Sequence, residues 1–304
     1  MWTPIRGMLL ALLVGVGVTS LLSASAGGAR VGLTDDPSLD AREVAETTTL
    51  PAARTLESDP RILAFVRAYD ELIDSVSYGE DDVVFALGAE RIHFRGGRML
   101  AEDRLDREAD CDPIFYQYPL TPLAGPFAEP GEMPTYCTDL LESLWGATEH
   151  EIRRHGRSIR FLDHRMFVNE LLVDPLAAVE ADLLRVAEAD GGVSRWIDEL
   201  DVTYSFSYRE IAGSGTRSQH SWGLAVDFVP RSYHGRAVYW RWSRVLSGDE
   251  WYRIPVEQRW SPPQRVIDTF ERHGFIWGGK WPHFDGIHFE YRPEIILYSR
   301  LAEQ

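Results

Sequence analysis

Lysine is almost missing from this chain of 304 residues: Lys280 is the only one, so nearly every basic side chain is an arginine. Even with those arginines the formal charge at neutral pH is −16. A balance that acidic excludes nucleic acid as a partner, because phosphate binding needs a basic surface that displaces counterions. Cysteine is equally scarce. Cys111 and Cys137 are the only two, and their spacing excludes a thiolate metal site. Past the first 26 residues no segment approaches membrane-spanning length. Internal repeats are missing too, which excludes a binding module built from tandem units.

The first 26 residues do carry a signal. Met1 to Ala26 contains Arg6, an apolar run from Met8 to Leu22 and the triplet Ala24-Ser25-Ala26. That layout predicts an export signal, cleaved before Gly27 or kept as an uncleaved anchor. No cysteine follows the apolar run, which argues against a lipid-anchored protein. In an exported chain two cysteines predict one disulfide, with two separate thiols as the alternative.

Hydrophobic residues make up 44% and aromatics 12% of the chain, enough for one good core and a smaller second one. Residues 27–58, rich in Ala, Thr, Asp and Glu, read as a flexible linker. Asp59-Pro60 opens a helix, as N-cap and first-turn proline, with Ile62, Phe65, Tyr69, Leu72 and Val76 on one face. Val83 to Leu87 and Arg91 to Phe94, split by Gly88-Ala89, predict a hairpin. Thr148 to Glu151 is a capping-box pattern. These pieces form an amino-terminal region, 59–157, to which no role is assigned. A second region, 158–304, holds a helix opened by Asp174-Pro175 and stopped at Gly191-Gly192, then a helix signalled by Ser261-Pro262-Pro263-Gln264 with Gly274 past its end. Tyr239-Trp240-Arg241-Trp242 and Trp251-Tyr252 read as a small aromatic core, with a cleft rim as the alternative.

Two segments carry chemistry. Ser218-Gln219-His220-Ser221-Trp222-Gly223-Leu224-Ala225-Val226-Asp227 is followed some sixty residues later by Asp285-Gly286-Ile287-His288-Phe289-Glu290. His, Asp and His can fill three positions of a tetrahedral zinc site, and a carboxylate three residues before the last His can serve as a base. His220 and Asp227 are seven apart, which would put them on opposite faces of an unbroken strand. Gly223 is placed to turn the chain between them, leaving Leu224 to Val229 as a buried strand that presents Asp227. Alternation around Ile287-His288-Phe289 sets His288 on the face opposite Phe289, with Asp285 just before the strand. Either segment alone is a weak signal, since a lone His beside aromatics is usually a packed or surface residue. The combination is specific.

At these residues the sequence resembles the zinc D-Ala-D-Ala metallopeptidases of bacterial cell walls. That group includes VanY-type carboxypeptidases and L-alanyl-D-glutamate endopeptidases, in the superfamily that also holds lysostaphin and the hedgehog signalling domain. The resemblance runs from Tyr204 to Glu294. It implies an α+β fold, a small mainly antiparallel sheet flanked by helices, and Zn2+ as cofactor. It also implies that His220, Asp227 and His288 are the metal ligands, Asp285 the general base, and Arg209, in Ser207-Tyr208-Arg209, the group facing the scissile carbonyl. Asp at position 285 fits the endopeptidase-like subgroup better, since some relatives have Glu there. Ser218 and His283 are weaker candidates for supporting the site or binding substrate, as is Glu290. His93, His150, His155, His164, His234 and His273 read as structural.

The expectation that follows is an exported zinc peptidase acting on peptidoglycan stem peptides. A net charge of −16 offers no attraction to anionic wall polymers, so any wall affinity comes from specific contacts. Two alternatives stay open: a zinc-containing binding protein without hydrolysis, and a zinc peptidase of peptides outside the wall.

Overall fold

The structure, a computed structural model, describes residues 56–303 apart from 126, 212, 213 and 215. The predicted export signal and all but the last three residues of the linker lie outside that range. Among the described residues no helix is long and apolar enough to cross a membrane.

Asp59 caps helix α1 (Pro60–Ala68) as its sequence signature predicts, with its side chain accepting from the Arg61 N–H. The predicted apolar face buries Ile62 and Phe65, but the helix stops at Ala68. Val76 belongs to a strand, not to that helix. The chain passes through a 3-10 turn (Asp70–Leu72) into the meander β1 (Ser75–Tyr78), β2 (Val83–Leu87), β3 (Glu90–Arg95) and β4 (Arg98–Ala101). The predicted hairpin is thus the centre of a four-stranded antiparallel sheet. A disulfide joins Cys111 and Cys137 and closes the irregular, proline-rich stretch between them.

Helices α2 (Asp139–Trp145) and α3 (Glu149–Arg154) follow, the second with the predicted Thr148/Glu151 capping box. The hairpin β5 (Gly156–Phe161) and β6 (His164–Asn169) leads to α4 (Val173–Ala187), which buries Leu176, Val179 and Leu183. Gly191-Gly192 does not stop that helix. It opens the next one, α5 (Gly191–Glu199), because Asp190 accepts from both Gly192 N–H and Val193 N–H and so caps a new start.

Strand β7 (Leu200–Tyr204) and strand β8 (Ala225–Pro230) come next, then α6 (Trp240–Ser247) and α7 (Gln264–Arg272). Gly274, at φ +87°, turns the chain out of α7 as predicted and into β9 (Phe275–Trp277). Strand β10 (His288–Tyr291) and α8 (Pro293–Ala302) complete the chain. The second four-stranded sheet has the order β7-β8-β10-β9 and is antiparallel throughout, so the α+β expectation holds.

The larger core packs Val226, Phe228 and Phe289 of this sheet against Phe161 and Phe270. A second core joins Ile62, Phe65, Phe85 and Phe94 of the amino-terminal region to Ile276, Ile295 and Ile296 near the carboxyl end. Trp240, Trp251, Tyr252 and Phe284 make a small satellite cluster, as the aromatic insertion predicts.

Candidate metal centre

Strand β8 is a continuous apolar run interrupted once, by Asp227. Ala225, Val226 and Phe228 are fully buried, so the strand must lie inside the sheet, and its central pairing with β7 and β10 follows. The register sets Asp227 directly opposite Tyr204 on one side and His288 on the other. His288 and Phe289 take opposite faces, Phe289 into the core and His288 toward Asp227, as the alternation predicts.

His220 arrives from a 3-10 turn, Gln219–Trp222. Ser218 caps that turn, its Oγ accepting from His220 N–H at 3.4 Å. Gly223 ends it at φ +67°, and a Cβ added there would meet the backbone nitrogen of Asn169 at 2.7 Å. Both the left-handed backbone and the close approach of β6 therefore demand glycine. The turn swings His220 back over the strand so that it and Asp227 share a face.

The three predicted metal residues converge, each offering one ligand atom within 4.8 Å of the others. His288 Nδ1 lies 2.9 Å from Asp227 Oδ1, and His220 Nε2 lies 3.2 Å from both that oxygen and His288 Nδ1. The other nitrogen of each ring is anchored from behind. His220 Nδ1 is 2.6 Å from Ser205 O; a carbonyl oxygen only accepts, so Nδ1 carries the proton and Nε2 turns its lone pair inward. His288 Nε2 is 3.3 Å from Glu290 Oε2. A buried set of two imidazoles and one carboxylate, each imidazole backed by an acceptor, suits zinc in donor type and number.

Asp285 precedes β10 in a tight turn, its backbone N–H bonded to Gly278 O at 3.0 Å and its backbone bridged to Tyr239. Its Oδ1 is shielded from solvent and has no hydrogen-bond partner. Burial and the nearby Asp227 charge push this carboxyl up to about 7. Burial would also raise Asp227, but the charges and hydrogen bonds of His220 and His288 outweigh it and hold that carboxyl far below the usual carboxylate range. For His288 burial works toward neutrality, yet hydrogen bonds to Asp227 and Glu290 raise it to about 10. Two carboxylates in one site are thereby driven apart, one firmly ionised and one poised near neutral pH.

Arg209 is exposed, and its backbone is tied to the metal turn: its N–H donates to Ser221 Oγ at 3.0 Å and its carbonyl accepts from Ser218 N–H at 3.0 Å. His283 does not join the centre. Between Trp281 and Phe284 the chain bends instead of extending, so the two-residue spacing to Asp285 does not put the side chains on one face. The His283 ring packs against Trp240 and Trp251, with centroids 4.6 and 5.4 Å away.

Sequence reasoning missed Tyr233, and placed Tyr239 only in the aromatic insertion read as a small core or a cleft rim. Tyr233 has a buried hydroxyl without a partner, and burial together with Asp285 and Asp227 raises its pKa. Tyr239 is shifted the same way by burial and Asp285, with Arg241 and Arg209 acting in opposition. Nothing in the local pattern marks Tyr233. The backing of His288 by Glu290 did leave a trace, since the two are two residues apart in β10 and so share one strand face.

Residues 212–291 match the family model described as D-alanyl-D-alanine carboxypeptidase. The matched segment holds both motifs, from before Ser218 to past His288, and bears out the resemblance read from them. No curated protein and no solved structure matches the chain.

Proposed function

We propose that this protein is an exported zinc peptidase that hydrolyses a peptide bond in the stem peptides of peptidoglycan. The observation that carries the reading is the convergence of His220, Asp227 and His288 beside the unpartnered Oδ1 of Asp285, within a segment that matches the carboxypeptidase family model. His220 Nε2, Asp227 Oδ1 and His288 Nδ1 would hold a zinc ion, which would supply Lewis acidity toward the scissile carbonyl and toward water.

Asp285 does the proton work. Its Oδ1 takes a proton from water as the new C–O bond forms, then delivers it to the amine nitrogen as the C–N bond breaks, so the carboxylate is restored. The absence of a competing donor at Oδ1 leaves that oxygen open for the task. Arg209 offers a guanidinium to the negative charge growing on the carbonyl oxygen, a contribution of about 3–4 kcal/mol for one well-aimed donor. Tyr239, whose backbone is bridged to Asp285, feels the charges of both Asp285 and Arg209. The export part of the reading rests on the layout of Met1 to Ala26.

The leading activity is removal of the terminal D-Ala from a pentapeptide stem, the reaction in the family description. A second reading, cleavage after L-Ala, is favoured by Asp rather than Glu at position 285. Incubating the zinc-loaded protein with defined pentapeptide muropeptides and weighing the products by mass spectrometry separates the two. Loss of one D-Ala supports the first, and release of the stem beyond L-Ala the second. Intact stems in the presence of bound zinc overturn the proposal.

A further inference from the structure

The ring of His288 is held from behind by a ladder of buried charges. Its Nε2 lies 3.3 Å from Glu290 Oε2. Arg292 donates from Nη1 to Glu290 Oε1 at 3.1 Å and from Nε to Glu294 Oε1. Tyr69 then donates its hydroxyl to Glu294 Oε2 at 2.8 Å, and Arg292 Nη2 donates to the carbonyl of Ile114 at 3.3 Å. Glu290 and Glu294 are 8% and 3% exposed, so these charges stand in a medium where an unmet partner is costly.

The ladder dictates the tautomer of His288. A carboxylate can only accept, and Glu290 already spends one oxygen on Arg292. If His288 Nε2 lacked its proton, its lone pair would face a carboxylate oxygen with nothing between them. Nε2 therefore keeps its proton, which leaves Nδ1, once the proton it shares with Asp227 is displaced, as the nitrogen that can turn a lone pair to a metal. The far end of the ladder belongs to the amino-terminal region. Tyr69 directly follows α1, and Ile114 lies in the loop that the Cys111–Cys137 bond closes.

We infer that Glu290 is a positioning residue for the metal ligand His288, and that the amino-terminal region is part of the metal centre, because Tyr69 and Ile114 hold the Arg292–Glu294 pair that fixes Glu290. The inference rests on the metal reading above. It gives residues 59–157 a task inside the catalytic machinery, one that a stand-alone appended module would not have. A purely structural role would not require the ladder to end on a ligand nitrogen, since apolar side chains fill a core at least as well.

The test is zinc affinity, measured on the metal-free full chain by competition with a chromophoric chelator, together with nitrogen NMR of the histidine rings. Glu290→Ala weakens zinc binding about 10- to 100-fold, the usual cost of removing such a backing group. Glu290→Gln, whose amide can either accept or donate, gives a smaller loss and a mixed tautomer at His288. Tyr69→Phe, which removes one hydroxyl and keeps the packing, weakens zinc binding by a few-fold at most. Lys280→Met disturbs a separate buried pair and serves as the control, lowering thermal stability without changing zinc affinity. Should Glu290→Ala bind zinc as tightly as the parent while His288→Ala loses it, the positioning role falls and the metal reading stands. Should His288→Ala and Asp227→Ala both bind like the parent, the metal reading falls, and the inference with it.

Discussion

Asp227 and His288 are direct partners across the β8–β10 ladder, and their side chains meet on the same face, with Nδ1 2.9 Å from Oδ1. The two groups are thus aligned by backbone hydrogen bonds and not by flexible loops, an arrangement that holds a metal pair rigidly before any ion arrives.

Zinc binding should release a proton. Hydrogen bonds to Asp227 and Glu290 overcome burial and raise His288 to about 10, so in the protein alone the ring is doubly protonated at neutral pH. A metal on Nδ1 displaces one proton and leaves the one on Nε2 with Glu290. Titration calorimetry in buffers of different ionisation enthalpy should therefore find at least one proton released per zinc at neutral pH, one from His288 and a further fraction from Asp285, whose carboxyl, at about 7 in the protein alone, the cation lowers. For the same reason zinc affinity rises with pH until His288 loses that proton unaided, and a pH-independent affinity would contradict the assignment.

Replacing Asp285 by Asn should abolish most turnover without expelling zinc. Loss of a general base costs about 10²- to 10⁴-fold in kcat, while His220, Asp227 and His288 remain in place. The parent enzyme should show an acid limb, activity rising as Asp285 ionises. Burial and Asp227 set that carboxyl at about 7 in the protein alone, and a nearby cation shifts the limb downward. A kcat profile with the same limb in the Asn variant would remove Asp285 from the role.

Gly223→Ala should be among the most damaging single-methyl changes in the chain. The left-handed backbone alone costs about 1–2 kcal/mol for a non-glycine residue, and the added carbon would approach the backbone of Asn169 at 2.7 Å. Denaturant unfolding checks the loss. Because relief of the clash moves the His220 turn, zinc affinity should fall as well.

Removing both cysteines should lower stability by roughly 3.5 kcal/mol, the chain-entropy value for the 26-residue separation between Cys111 and Cys137. Comparing denaturant midpoints of the parent and the Cys111→Ala, Cys137→Ala variant tests this. An unchanged midpoint would mean that the loop is already ordered by its aromatic packing.

The trio was legible because its members sit in two short motifs whose spacing has a geometric meaning. A seven-residue gap needs a turn, Gly223 can make it, and β8 reads as buried from its apolar run. Helix α1 was legible at its start, where Asp59 and Pro60 carry local capping chemistry, but not at its end, because the stripe through Tyr69 to Val76 continues across a change from helix to strand. Gly191-Gly192 misleads for a related reason: glycine after a helix usually marks a stop, and here Asp190 caps the next helix instead. The partners that came from far away in sequence left little trace. Tyr69 reaches Glu294 across 225 residues, and Tyr118 donates to Glu271 across 153. Such contacts depend on how α8 and β9 share a core with the amino-terminal region, which no local pattern records.

The single lysine of this chain is also buried. Lys280 is 5% exposed, with its ammonium bonded to Glu271 at 2.6 Å and to Pro119 O at 2.8 Å, beneath the ring of Tyr118. Reagents that acylate amines therefore find no side chain to attack on the folded molecule. Their only lysine becomes reachable when the fold opens around it, so the rate of its acylation is a clock for that opening, read from one peptide and needing no engineered label.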